Sequence, residues 1–453
     1  MLRSAALLAW SLRRLGATVG RNLHCAGDAE LLGPLALLQI GDNVTIQTGA
    51  SISTSRWIDQ ELHVGPVHLE AGSKIGMRAC VADGVTVGRG SWVTPLSSIA
   101  EDCGPNEIRE GAPARFSGRC TRLKRTADRC HHPLPGWSLE ALNVSMQVFL
   151  EICLLIIPTA LVAWLAATFI PGKSSAQGAD FFTATPLLEI IWQIGLYALV
   201  TSWMTIILIS VLGCLFIRLT PSSPGLHPAK GLRSALLLYR VKKLNQIQRL
   251  WTWSITGQYL RALAGLRFSR VGASECDLMQ NLVPELVTAD ANVFWSHGCF
   301  ANVLDYGAEH IRLSHLDMPS NFFSSNNCVA EFGQLPTNFL LGVSTPGNDI
   351  QFRRQMNSRL DAPIAVAGNP PLKIAGSDFE AENRKQQLPG FSLFLTRFLL
   401  SDVISIGTLP VAEVLVYTLY YTALHRVIEQ PVLSALLALV LMEFSLVFLS
   451  VVA

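Results

Sequence analysis

Charged residues are scarce in this sequence. Only 15% of its 453 residues are Asp, Glu, Lys or Arg, against about a quarter in an ordinary soluble domain. Half of the chain is hydrophobic, which excludes a typical soluble protein of this length. A net charge of +2 without a concentrated basic face excludes a nucleic-acid partner. The ten cysteines are scattered, with no C-x-x-C pair and no Cys/His group at zinc spacing. They read as reduced thiols packed as small hydrophobes, and no metal is expected. No secretory leader is expected either. The apolar run Ala5–Leu12 ends in Arg13-Arg14 instead of following its charges, so residues 1–20 read as an amphipathic lead-in.

Long apolar runs are abundant. Met146–Ile170, Pro186–Ile217, Ile404–Leu424 and Val432–Val452 each reach the roughly 20 residues needed to cross about 30 Å of hydrocarbon. They predict two pairs of transmembrane α-helices, over 145–217 and 391–453. Arg115, Arg119, Arg122, Lys124, Arg125 and Arg129 precede the first pair, and Arg218, Lys230, Arg233, Arg240, Lys242 and Lys243 follow it. The loops within the pairs carry only Lys173 and Arg426. The positive-inside rule then places both large polar regions in the cytoplasm of an integral membrane protein. Glu413 and Glu443 fall near the middle of their spans, where a charge is costly unless paired, protonated or facing a polar cavity.

Between these runs a six-residue period appears. Leu69, Ile75, Val81, Val87, Val93 and Ile99 recur in strict order, preceded by Ile40, Ile46 and Ile52. Neither a helix face nor an alternating strand has that period. It predicts a triangular coil, the left-handed parallel β-helix, over residues 21–130. A degenerate copy spans 263–376, with Val287, Val293 and Cys299 as inward candidates. The turns Gly111-Ala-Pro-Ala114 and Gly368-Asn-Pro-Pro371 close the two units, and a basic helical linker over 225–262 leads into the second. The chain is therefore read as a tandem duplication of β-helix plus membrane pair. Tethering supplies each β-helix with a neighbour at high effective concentration, so the two are expected to pack within the chain.

The coils with Glu110-Gly-Ala-Pro-Ala-Arg115 resemble hexapeptide-repeat acyltransferases, which end their coils in a G-x-P-A-[KR] turn. Where such enzymes place a histidine base, this chain has Ser53-Thr54-Ser55-Arg56-Trp57. That departure favours a structural first domain. Met318-Pro-Ser-Asn-Phe-Phe323, Asn326-Asn327, Gly333, Leu335-Pro336 and Leu340-Leu-Gly-Val-Ser-Thr-Pro346 resemble the membrane-embedded C-terminal region of poly-ε-lysine synthetase-like non-ribosomal peptide synthetases. Ser325 and Glu331 depart from that pattern, two soluble domains stand in place of three, and adenylation and carrier domains are lacking. The resemblance implies a membrane-bound acyl- or aminoacyl-transferase that uses a thioester donor, either acyl-CoA or a phosphopantetheinyl carrier protein with its adenylating synthetase. No tightly bound cofactor is expected.

Acyl transfer to an amine or hydroxyl needs a base, oxyanion donors and a groove that excludes water. Histidine titrates nearest neutrality. The candidates are His297 as base, Asp305 as its orienting carboxylate, and His315 in a following loop. Asn326 and Asn327 are candidate substrate-binding donors or members of a structural Asn ladder. Two other functions remain open: a non-catalytic membrane scaffold for a partner synthetase, and a product-export module built around Glu413 and Glu443.

Overall fold

The computed structural model describes residues 5–26, 29–120, 136–169, 187–229, 231–251, 254–269, 275–276, 279–290, 293–307, 310–331, 333–334, 338–346, 364–369 and 371–374, with isolated positions after 394. The chain divides into two compact units. One comprises Met1–Phe149, Leu215–Thr252 and Arg261–Leu388; the other comprises Leu150–Cys214, Trp253–Leu260 and Pro389–Ala453.

In the first unit, residues Thr18–Arg119 wind into a parallel β-helix with three faces. The six-residue period sets the winding. Leu69 pairs with Val87, Ile75 with Val93 and Val81 with Ile99, each three hexapeptides apart. Ile40, Ile46 and Ile52 stack beneath Leu69, Ile75 and Val81. All nine are buried, none more than 2% exposed. Small residues let the coils stack this closely: a Cβ on Gly76 would lie 2.6 Å from the backbone nitrogen of Pro95. One interruption occurs. Ser55–Ile58 and Glu61–Val64 form an antiparallel hairpin that leaves the coil and returns to it, with Trp57 and Leu62 exposed.

A coil leaves unpaired backbone at its ends, so each β-helix needs a cap. The lead-in helix Ala5–Arg14 buries Ala9 and Leu12 on the first coil, and Arg13 donates to the carbonyls of Val19 and Gly20. At the second β-helix, Leu232–Leu250 is helical. The Gln248 side chain stands in for a missing strand. Its amide donates to the Met279 carbonyl and its oxygen accepts the Met279 N–H, at 3.1 and 3.2 Å. Buried Arg240 grips both oxygens of Glu285 at 2.8 and 2.9 Å. A charge so buried needs such a pairing.

The second β-helix runs from Arg267 to Lys373 in three parallel faces, closed by the antiparallel pair Ile364–Ala367 and Leu372–Lys373. Val287, Val293 and Cys299 are buried as expected. The row that repeats Ile40, Ile46 and Ile52 is instead Ala289, Trp295 and Ala301. Large and small residues alternate in this row, which hides its period. An antiparallel insert, Leu304–Tyr306 with His310–Leu313, is flanked by Gly225–Pro228 from the linker.

The two β-helices pack on one another. Met77 and Leu96 of the first meet Phe300 and Val329 of the second in a common apolar cluster. Around it, Asn281 donates to Thr48 at 3.2 Å, and the Asn369 side chain donates to the Leu96 carbonyl at 2.8 Å. Packing within the chain thus supplies the neighbour expected from tethering.

In the other unit, one helix among the described residues is long and apolar enough to cross a membrane: Val144–Val162, of mean hydropathy 2.0, which begins just inside the first unit. A π-helical turn at Ile152–Ile156 precedes Pro158, whose missing N–H breaks the regular ladder. The helix Leu187–Leu219 contains the shorter apolar stretch Trp203–Leu219. The four expected spans are therefore met by one qualifying helix among the described residues. Apart from isolated positions, the expected spans at Ile404–Leu424 and Val432–Val452 lie outside those residues, as do Glu413 and Glu443.

Candidate active site

His297 lies on the corner between Phe294–Trp295 and Cys299–Asn302, and its side chain is exposed. Gly298 turns that corner with φ +71°, a conformation most side chains avoid. The next coil repeats the corner. Asn327 takes the left-handed position with φ +60°, and its N–H donates to the His297 carbonyl at 3.1 Å. Asn326 therefore stacks in register with His297. Its side-chain oxygen is joined to the Ser296 hydroxyl, which leaves the amide NH2 pointing from an exposed position. Asn321 and Asn338 bond side chain to side chain at 2.7 Å at another corner, so an Asn ladder also exists in this β-helix.

The first β-helix contributes a cation to this place. Arg78 Nη1 is 3.9 Å from the point a Cβ on Gly298 would occupy, and its guanidinium lies 5.4 Å from the Phe300 ring centroid. Arg78 itself has φ +53° where Gly49 stands in the preceding coil. A left-handed non-glycine residue costs about 1–2 kcal/mol. Residues held so are enriched at functional sites. Sequence reasoning missed Arg78. The available signal was the long cationic side chain at a corner where the period calls for glycine.

Asp305 sits elsewhere in the interface. Its carboxylate accepts from Gln47 at 2.9 Å and pairs with Lys74, both from the first β-helix. It is thereby committed to joining the two β-helices, and an orienting role toward His297 has no support in these contacts. His24 lies in the same outward row as Thr45, Lys74 and Trp92 and stacks on Tyr306. Burial, and secondarily the Lys74 charge, lower the His24 pKa to about 4, so this imidazole is neutral at physiological pH. His315 is exposed between His310–Leu313 and Leu316–Met318, and the preceding Ser314 N–H bonds the Val303 carbonyl. Of the expected group, the structure brings together His297, Asn326 and Asn327, adds Arg78, and engages Asp305 with Lys74 and Gln47. Among the described residues no His/Cys/Asp/Glu group is arranged to hold a metal ion.

No protein-family model matches the chain, and no protein of curated function matches it. Among solved structures, the chain is similar to a hexapeptide-repeat acetyltransferase from Vibrio cholerae, at 20% identity and a TM-score of 0.24 over 26% of this chain and 84% of that one. It is also similar to a galactoside acetyltransferase in complex with coenzyme A, at 21% identity and a TM-score of 0.23 over 26% and 72%. A Bacillus cereus N-acyltransferase is similar at 17% identity and a TM-score of 0.18 over 25% and 89%.

Proposed function

We propose that this chain is a membrane-bound acyl- or aminoacyl-transferase that moves an acyl group from a thioester to an amine or hydroxyl. The observation that carries the reading is the exposed His297 stacked over Asn326 beside the Arg78 guanidinium of the other β-helix. In this scheme His297 takes the proton of the acceptor as the acceptor's electron pair attacks the thioester carbonyl. The Asn326 amide holds the developing oxyanion. The C–S bond then breaks, and the departing thiolate takes back the proton. Both possible donors, acyl-CoA and a phosphopantetheinyl carrier protein, present phosphate groups, which suit a guanidinium. The β-helices would lie on the cytoplasmic side, where the flanking basic residues are attracted and both donors are made. The setting implied by the sequence is non-ribosomal peptide or secondary-metabolite biosynthesis.

The test is product formation in a host carrying the partner synthetase. His297→Ala should lower turnover about 10²–10⁴-fold while the protein still accumulates in membranes. Arg78→Met should chiefly raise KM for the donor. Unchanged product from His297→Ala, with loss in His315→Ala, moves the base to the loop between the strands. Loss in neither favours the scaffold reading, for which the exposed Trp57 and Leu62 of the hairpin offer a contact surface.

A further inference from the structure

Cys299 and Cys328 occupy the same position on adjacent coils. Phe300 and Val329, the residues after them, are partners in the parallel ladder, and Phe300 N–H donates to the Cys328 carbonyl at 2.9 Å. Neighbouring strands lie about 4.8 Å apart. That spacing is inside the roughly 4.4–6.8 Å between Cα atoms that a disulfide requires. The sulfurs also converge. Cys299 Sγ is 3.1 Å and Cys328 Sγ 2.9 Å from one and the same oxygen, the Ser325 carbonyl. Cys328 Sγ is a further 2.8 Å from the Gly342 carbonyl, and Cys299 Sγ is 3.2 Å from the Ser324 hydroxyl.

We infer that Cys299 and Cys328 form a redox-active dithiol whose disulfide staples together the two coils carrying His297 and Asn326. The two thiols are unequal. Hydrogen bonds from Cys328 and then Ser324 lower the Cys299 pKa against the opposing effect of burial, whereas the bond to Cys299 and then burial raise that of Cys328. Cys299 is thus the nucleophile and Cys328 the resolving thiol. Both side chains are buried, close in sequence to the exposed His297 and Asn326 of the same two coils. A small peroxide serves as the oxidant. The Cys299 thiolate attacks one peroxide oxygen, the O–O bond breaks to leave a sulfenic acid on Cys299, and the departing hydroxide takes up the proton shed by that thiol and leaves as water. Cys328 sulfur then attacks that sulfur, its proton leaves with the hydroxyl as a second water, and the S–S bond forms. Two thiols are oxidised and one peroxide is reduced.

The inference stands apart from the acyl-transfer reading, because its readout is a covalent bond. Full-length protein in detergent is treated with hydrogen peroxide, denatured, alkylated and digested. The expected result is a peptide pair joined through Cys299 and Cys328, released by dithiothreitol, with neither cysteine alkylated before reduction. Cys299→Ser should leave Cys328 fully alkylatable after the same treatment. Equal alkylation of both cysteines with and without peroxide, while exposed Cys80 becomes oxidised, would overturn the inference. So would a disulfide that joins either of them to some other cysteine.

Discussion

The imidazole of His24, at the start of the first β-helix, stacks on the phenol ring of Tyr306 in the second, with centroids 4.7 Å apart and planes inclined by 24°. A ring from each β-helix thus meets the other across their interface. Lys74 lies in the same row, and its charge adds to the penalty that burial puts on protonating His24.

This relationship predicts a pH dependence. In the unfolded chain His24 titrates near 6.5, and in the folded protein near 4. Between those values the unfolded state binds more protons, so stability rises with pH there and levels off above about 6.5. On acidification it is lost progressively down to about pH 4, by about 3 kcal/mol at most. Denaturation midpoints at pH 7.5 and 5 should differ in the parent and differ much less in His24→Gln. An equal drop in both would assign the acid sensitivity to other groups.

Apolar contact should outweigh charge in holding the two β-helices together. The Lys74 and Asp305 side chains retain 24% and 31% exposure, and a partly solvated pair contributes about 0–1 kcal/mol. Phe300 is buried to 1% in the cluster with Met77 and Val329. Its truncation to alanine should cost about 3–5 kcal/mol. Chemical denaturation of Lys74→Met and Phe300→Ala should rank them in that order. A larger loss from Lys74→Met would mean that the polar contacts dominate.

Coil spacing around Gly76 leaves no room for a methyl group. A Cβ would meet Pro95 N at 2.6 Å and Thr94 C at 2.7 Å, both backbone atoms of the next coil. Gly76→Ala must therefore push two coils apart and should destabilise the protein by about 3 kcal/mol, at the upper end of overpacking effects. Thermal unfolding is the measurement. A shift within error of zero would show that the coils yield without strain.

Placing a carboxylate in the apolar row should be worse still. Ile75 and Val87 are both fully buried among aliphatic neighbours. Ile75→Asp or Val87→Asp should cost several kcal/mol, comparable to the stability of a whole domain. The expected outcome is rapid proteolysis and loss of the protein from the cell. Accumulation at the parental level would contradict the buried row.

The sequence by itself determined the aliphatic rows of the first β-helix, though not the hairpin of Ser55–Ile58 and Glu61–Val64 that interrupts them. Leu69 through Ile99 repeat one local rule, and each coil enforces the same register on the next, so a single period carries the structure. In the second β-helix the rule was legible only as an echo. Ala289 and Trp295 serve the same role with very different volumes, and Leu304–Leu313 is inserted between coils. What the tertiary structure alone decided was which side chains face each other across the two β-helices. Asp305 lies eight residues from His297 yet pairs with Lys74, which is 231 residues distant. Arg78 reaches the His297 corner from the other β-helix. Periodicity reports whether a residue points inward or outward within its own coil. It carries no information on which outward face meets which, because that depends on the shape and charge of two whole surfaces coming together.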